Sequence, residues 1–264
     1  FGTLEKPKGN KNILKILTME NQTKNAKPEA ALYLIPVTLG GDVAHDYVLP
    51  AHNREVILSL RHFIVEELRT ARRFLKQVEK TIDIDSLHFC EMGKHADASA
   101  FSRHLEPLRR GESVGVLSEA GCPAVADPGA DIVAIAQREG LRVVPLVGPS
   151  SILLAVMGSG FNGQSFSFNG YLPVDASDRS KTLKKLETRS AVERQTQLFI
   201  ETPFRNLQLF RHLLATLDRR TRLCVAAGLT TEAEFLRTLT VAQWKSQPEP
   251  PIHKVPAIFA IYAG

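Results

Sequence analysis

Apolar positions along the chain fall into short runs separated by longer amphipathic stretches, the alternation of an α/β protein. The runs Ala31–Pro36, Leu87–Glu91, Ser113–Leu117 and Arg142–Val147 predict strands. Between them, Ala98–Arg110 and Ala130–Glu139 have helical spacing, and Gly140 is placed to end the second. Arg54–Val78 admits two readings. Its apolar positions fit one long helix, yet Phe63–Val65 also reads as a buried strand flanked by helices. Beyond Gly148-Pro149-Ser150 the texture changes. Strands are predicted at Ser165–Tyr171, Gln197–Glu201, Arg222–Ala226, Phe235–Thr240 and Ala257–Tyr262, with helices at Ser180–Glu187 and Asn206–Leu217. The strands after Arg222 follow one another too closely for an intervening helix, which implies antiparallel or mixed pairing there. The pattern thus predicts two α/β domains, residues 31–147 and 150–264.

Composition narrows the class. At 264 residues and 44% hydrophobic, the chain can bury a sizeable core. Its longest apolar runs fall far short of a membrane span, and no secretory signal is readable. Three scattered cysteines, Cys90, Cys122 and Cys224, exclude a disulfide scaffold and argue against a zinc site. They fit a reducing compartment, so a cytoplasmic protein without a metal is expected. The net charge of +5 is concentrated at the start: residues 1–27 carry six lysines against Glu5 and Glu20, a net of +4, and the remainder carries +1. Residues 1–27 read as a disordered leader, with Met19 a candidate native start.

The most informative segment is Val114–Gly129, VGVLSEAGCPAVADPG. A strand runs into the small-residue turn Ser118–Gly121, and Asp127 with Pro128 is placed to cap the following helix. Small residues at the carboxyl end of a parallel strand let a ligand approach backbone groups. An ordinary tight connection is the competing reading. Gly158-Ser-Gly160-Phe-Asn-Gly163 matches G-x-G-x-x-G literally, but it follows a predicted helix and precedes a strand, the wrong context for a dinucleotide site.

These segments, taken in order, resemble the tetrapyrrole methylase superfamily, and within it the branch of ribosomal RNA small-subunit methyltransferase I. Ser118–Gly129 is similar to the pattern S-D-A-G-T-P-x-x-x-D-P-G. Arg142–Ser151 resembles V-x-P-x-P-G-P-S-A, and Gly170–Pro173 resembles G-F-L-P. Tyr33–Pro36 with Leu39-Gly40, Glu66–Thr70, Phe199–Arg205 and Leu229-Thr230 match further motifs in the same order. The chain departs from the pattern at Glu119 for Asp, Cys122 for Thr, Thr38 for Pro, and Ala227-Gly228 for Arg-Glu.

The resemblance implies a two-domain class III S-adenosylmethionine-dependent methyltransferase fold, with a mostly parallel first sheet and a mixed second sheet. The cofactor would lie between the domains of a homodimer. It also resolves the ambiguous stretch: Phe63–Glu66 becomes a strand, and a helix starts near Arg69. Cofactor contacts are expected from Thr38, Gly40, Ser118, Glu119, Ala120, Gly121, Asp127, Ser150 and Ser151. From the second domain come Tyr171, Leu172, Gly228, Leu229, Thr230 and Pro256. Candidate general bases are Glu119, His95 and Glu201, the last of which could instead pair with Arg205. Arg69, Arg72, Arg73 and Lys76 recur at i, i+3, i+4 and i+7, a stripe suited to RNA phosphates or simply a solvated face. Arg179, Lys181, Lys184 and Lys185 form a second basic run. Ribosomal RNA is the first substrate expectation; a tetrapyrrole or other small molecule, or cofactor binding without turnover, are the alternatives.

Overall fold

The computed structural model describes residues 29–40, 43–92, 98–126 and 129–264. The first half contains β1 (Leu32–Ile35), α1 (His45–Val48), α2 (Ala51–Ser59), β2 (His62–Val65) and α3 (Leu68–Val78). It continues through β3 (His88–Glu91), α4 (Ala98–His104), α5 (Glu106–Arg109), β4 (Val114–Leu117), α6 (Ala130–Arg138) and β5 (Val143–Pro145). The second half runs α7 (Ser151–Ser159), β6 (Phe166–Tyr171), α8 (Ala176–Glu193), β7 (Thr196–Ile200) and α9 (Asn206–Thr216). It closes with β8 (Arg222–Ala227), β9 (Phe235–Thr240), α10 (Val241–Trp244) and β10 (Ala257–Tyr262).

Each half is built on a five-stranded sheet. The first has the order β3-β2-β4-β1-β5 and all its pairings are parallel. The second, ordered β6-β7-β10-β8-β9, is mixed: β6 and β7 are parallel and the remaining pairs antiparallel. This is the α/β class III arrangement expected, and β2 with α3 replaces the single long helix. Parallel strands need both faces covered. Leu60, Phe63 and Leu75 pack on one side of the first sheet, and Leu32, Ile132 and Ile135 on the other. The second sheet is covered by Leu183, Phe210 and Trp244 on one face, and by Ala155 and Val156 of α7 on the other.

Several boundaries differ from the sequence reading. Ala98–Arg110 is two helices, because Pro107 lacks an N–H and cannot continue α4. Gly129, not Asp127, occupies the N-cap of α6; its φ of 118° lies in a region that only glycine adopts readily. Asp127 itself lies outside the described residues. The helix expected at Ser180–Glu187 spans Ala176–Glu193. It starts at Asp175, whose side chain accepts from the Asp178 N–H, and ends at Arg194 in the left-handed region. The extra turns are polar, so hydrophobic spacing gives no sign of them. The glycine-rich segment closes α7, with Gly160 as its left-handed C-cap, and leads to β6.

Candidate functional site

Register brings the functional loops together. Ile35, Leu117 and Val65 lie side by side at the carboxyl ends of β1, β4 and β2. The turns that follow, at Thr38–Gly40, Ser118–Gly121 and Glu66–Glu67, therefore emerge at one edge. Gly121 is stitched back to β1, since the Val37 N–H donates to its carbonyl at 2.9 Å. In the second sheet, Ile200 pairs with Ile258 and Ala227 with Ala257, which places Glu201, Gly228 and Pro256 at one end.

Between these two edges lies a cavity of about 550 Å³, a size suited to a small-molecule ligand. Of the residues singled out in the sequence, Gly40, Glu119, Ala120, Gly121, Ser150, Ser151, Tyr171, Gly228, Leu229 and Pro256 line it. Two glycines shape its walls. Gly121 (φ 70°) would set a Cβ 3.3 Å from the Pro149 carbonyl oxygen, and Gly228 (φ 55°) would set one 2.7 Å from that of Ala233. Ala124 and Ala126, just past Gly121, also hold positive φ, a strained turn at the cavity wall. Ser150 caps α7 by accepting from the Leu153 N–H.

Other sequence candidates sit elsewhere. Thr38 and Ser118 line a neighbouring, smaller pocket. Leu172 is buried in the core of the second half. Thr230 (φ 68°) lies beside the cavity-lining Leu229, with a buried, unpartnered hydroxyl. His95, like Asp127, falls outside the described residues. Residues that the sequence reading missed include Phe168, Ile200, Ile258 and Lys254 on the cavity wall. Strand-core residues such as Ile200 carry no signal of a site in sequence. Lys254 carries a weak one, a lysine beside His253 between the apolar residues Ile252 and Val255.

The two described carboxylate candidates are held differently. Glu201 is buried; its Oε1 accepts from the Thr202 N–H (2.6 Å) and from Arg205 Nη2 (2.6 Å) and Nε (3.0 Å). That carboxylate is committed to structure. Glu119 is exposed on the cavity, its Oε1 accepts from the Thr70 hydroxyl, and its N–H donates to Glu66 Oε2 at 3.2 Å. Cys122 points its thiol at the Pro149 carbonyl, 3.4 Å away, and burial pushes its pKa up. A raised thiol pKa suits packing rather than nucleophilic attack.

The basic stripe on α3 is divided. Arg72 lies over the Phe89 ring at 5.5 Å, and Lys76 donates to the Lys80 and Ile82 carbonyls. Arg73 lines the smaller pocket. In the second run, Lys181 pairs with Asp178 and Lys184 with Glu187, while Arg179 is buried. No helix among the described residues is long and apolar enough to cross a membrane.

Two α/β halves, one parallel and one mixed, with a ligand-sized cavity where their strand ends meet, define a tetrapyrrole methylase fold. Solved structures agree with that architecture. Diphthine synthase is similar with a TM-score of 0.60 at 16% identity, covering 89% of this chain and 90% of that one. The methyltransferase CobJ gives 0.57 at 11%, covering 89% and 94%. A Thermus thermophilus uroporphyrin-III C-methyltransferase complexed with S-adenosylhomocysteine gives 0.52 at 17%, covering 88% and 97%. No family model matches the chain. Among curated proteins, the ribosomal RNA small subunit methyltransferase I of Mesorhizobium japonicum is 32% identical over 217 residues, 82% of this chain and 69% of that protein. The Vibrio cholerae protein of the same name is 27% identical over 214 residues, 80% of this chain and 69% of its own length. The chain belongs to the ribosomal RNA small subunit methyltransferase I family, and is an S-adenosylmethionine-dependent methyltransferase of the tetrapyrrole methylase superfamily.

Proposed function

We propose that the protein methylates a ribose 2′-hydroxyl of small-subunit ribosomal RNA in the cytoplasm, with S-adenosylmethionine held in the cavity between its two sheets. The observation that carries this reading is the cavity at the carboxyl ends of β1 and β4, where ligands sit in open α/β sheets. Its residues fit the cofactor's chemistry. Phe168, Ile200 and Ile258 offer an apolar wall to an adenine ring, and the backbone at Gly121 and Gly228 is open to close approach. Glu66 and Glu119 supply negative charge for the cationic sulfonium and amino groups, and Lys254 supplies a cation for the carboxylate.

When bound, the cofactor supplies an electrophilic methyl group. The chain holds and orients. Gly40, Ala120 and Gly121 form the first half's share of the cradle; Ser150, Ser151, Tyr171, Gly228, Leu229 and Pro256 form the second's. Thr70 fixes one oxygen of the Glu119 carboxylate, leaving Oε2 to accept the proton of the acceptor hydroxyl. Glu201, buried and bound to Arg205, is a positioning residue that anchors the turn after β7.

The resemblance to the family also supports a homodimer. Leu153 and Met157, one turn apart on α7 and 53% and 77% exposed, form an apolar face suited to burial between copies. Transfer of a labelled methyl group to isolated small ribosomal subunits tests the acceptor. Label in ribose-methylated nucleotides supports the reading. Label only in a tetrapyrrole such as uroporphyrinogen overturns it in favour of a small-molecule methylase.

A further inference from the structure

A second pocket of about 290 Å³ opens beside Glu119, on the first half's side of the cavity. It shares Gly40 and Glu119 with the larger cavity but differs in chemistry. Its polar lining is Thr38, Thr70, Arg73, Gln77 and Ser118, over an apolar base of Val37, Phe74 and Leu117. Arg73 and Gln77 stand one turn apart on α3 and face the same space. Most cations nearby are engaged: Arg72 with Phe89, Lys76 with carbonyls, Arg54 with Glu79. Among the described residues, no ion pair or cation–π contact engages Arg73.

The second observation is Ser118. It is 8% exposed, its Oγ is buried, and no group among the described residues hydrogen-bonds to it. A buried hydroxyl left unpaired beside a polar pocket is a group arranged for a ligand. The smaller pocket thus offers one free guanidinium, one amide and one unsatisfied hydroxyl. It lies next to the carboxylate that both spaces share.

We infer that this pocket is the acceptor subsite and takes one sugar–phosphate unit of a polynucleotide. Arg73 and Gln77 bind the phosphate, and Ser118 Oγ hydrogen-bonds the sugar. The inference deepens the proposed function and rests on its placing of the cofactor in the larger cavity. A guanidinium binds phosphate through a planar fork, and an amide adds a directional donor. Arg69, one turn before Arg73 on α3, continues the basic row along the helix's exposed face. A row of cations leading into a small pocket suits a chain of phosphates better than a single free anion. Acceptor and cofactor then approach Glu119 from opposite sides.

The test is fluorescence anisotropy of a labelled single-stranded oligoribonucleotide against the full chain saturated with S-adenosylhomocysteine, at several salt concentrations. S-adenosylhomocysteine affinity is measured separately by calorimetry. Arg73→Ala is expected to weaken RNA binding about tenfold and to reduce the salt slope by about 0.7, the loss of one phosphate contact on a single strand. Arg73→Lys should restore the slope but not the whole affinity, because it keeps the charge and loses the fork. Ser118→Ala should raise the KM for small subunits several-fold with kcat little changed. S-adenosylhomocysteine affinity should stay the same in all three variants, and Arg211→Ala, a charge removed at the Glu249 pair, should leave RNA binding unchanged. RNA affinity and salt slope unaltered in Arg73→Ala, with cofactor binding intact, overturn the subsite. Tight binding of inorganic phosphate at Arg73 without any RNA binding overturns it too. Failure of the wild-type protein to bind S-adenosylhomocysteine instead brings down the cofactor reading on which it rests.

Discussion

The hydroxyl of Thr70, in the first turn of α3, donates to Oε1 of Glu119 in the turn after β4. The contact joins a helix start and a loop 49 residues apart in sequence and sets the orientation of the carboxylate shared by both pockets. The Thr70 N–H, in turn, donates to the capping side chain of Glu67 at 2.7 Å, so the hydroxyl sits on a fixed helix end.

Thr70→Val keeps the shape and removes the donor. The loss of one hydrogen bond costs about 1 kcal/mol of stability. Single-turnover methyl transfer should fall roughly tenfold as Glu119 loses its orientation, while S-adenosylhomocysteine affinity changes little. An unchanged single-turnover rate would show that Glu119 needs no such positioning.

Gly228 should not tolerate a side chain. A Cβ there meets the Ala233 carbonyl oxygen at 2.7 Å, and its φ of 55° is already unfavourable for other residues. Gly228→Ala is expected to cost about 2 kcal/mol or more and to distort the cavity wall. Thermal melts and calorimetric titration should report a lower Tm together with weaker cofactor binding. A variant with wild-type values for both would contradict the geometry of this turn.

Much of this site was legible in the sequence because small residues mark where a strand ends and backbone is exposed. Ser118–Gly121 stands out for that reason, whereas Gly228 and the cap at Ser150 came from the family resemblance. What sequence could not supply was direction. Successive residues leaving a strand point to opposite sides. Ser118 turns inward, buried beside the smaller pocket, while Glu119 is exposed where the two pockets meet, so two neighbours grouped by motif have different surroundings. The basic stripe on α3 was likewise legible as a pattern, but not its partition. Only the fold brings Phe89 under Arg72 and the Ile82 carbonyl to Lys76. Polar burial is the other blind spot. Glu187 is buried on α8, where its Oε1 accepts from the Asp218 N–H and the Thr221 hydroxyl, both at 2.7 Å. Hydrophobic periodicity reads such a position as solvent-facing and ends the helix early.

Glu79, at the end of α3, gives a pH-dependent prediction. The Thr81 hydroxyl and N–H, followed by the Arg54 guanidinium, hold its carboxyl at about 2, against an ordinary value of 4.5. A carboxyl whose pKa is depressed in the folded state stabilises the fold above its unfolded value and loses that contribution as pH falls through the folded one. This contribution should therefore be complete above pH 4.5 and fade toward pH 2. Carboxyl chemical shifts followed by NMR should give Glu79 a low midpoint, raised in Thr81→Val. A midpoint near the ordinary value would contradict the contact.

If the cavity between the two sheets holds the adenosyl cofactor, filling that cavity must abolish cofactor binding. Calorimetric titration with S-adenosylhomocysteine tests it most directly, on the wild-type protein beside Ala120→Trp. Ala120 is an exposed residue of the cavity wall, so a tryptophan there fills the space without entering the core. The wild type should bind at one site per chain with micromolar affinity, and the variant should lose that binding while melting at the wild-type temperature. Undiminished binding by Ala120→Trp would place the cofactor elsewhere, and no binding by the wild type would remove the chemistry from the site altogether.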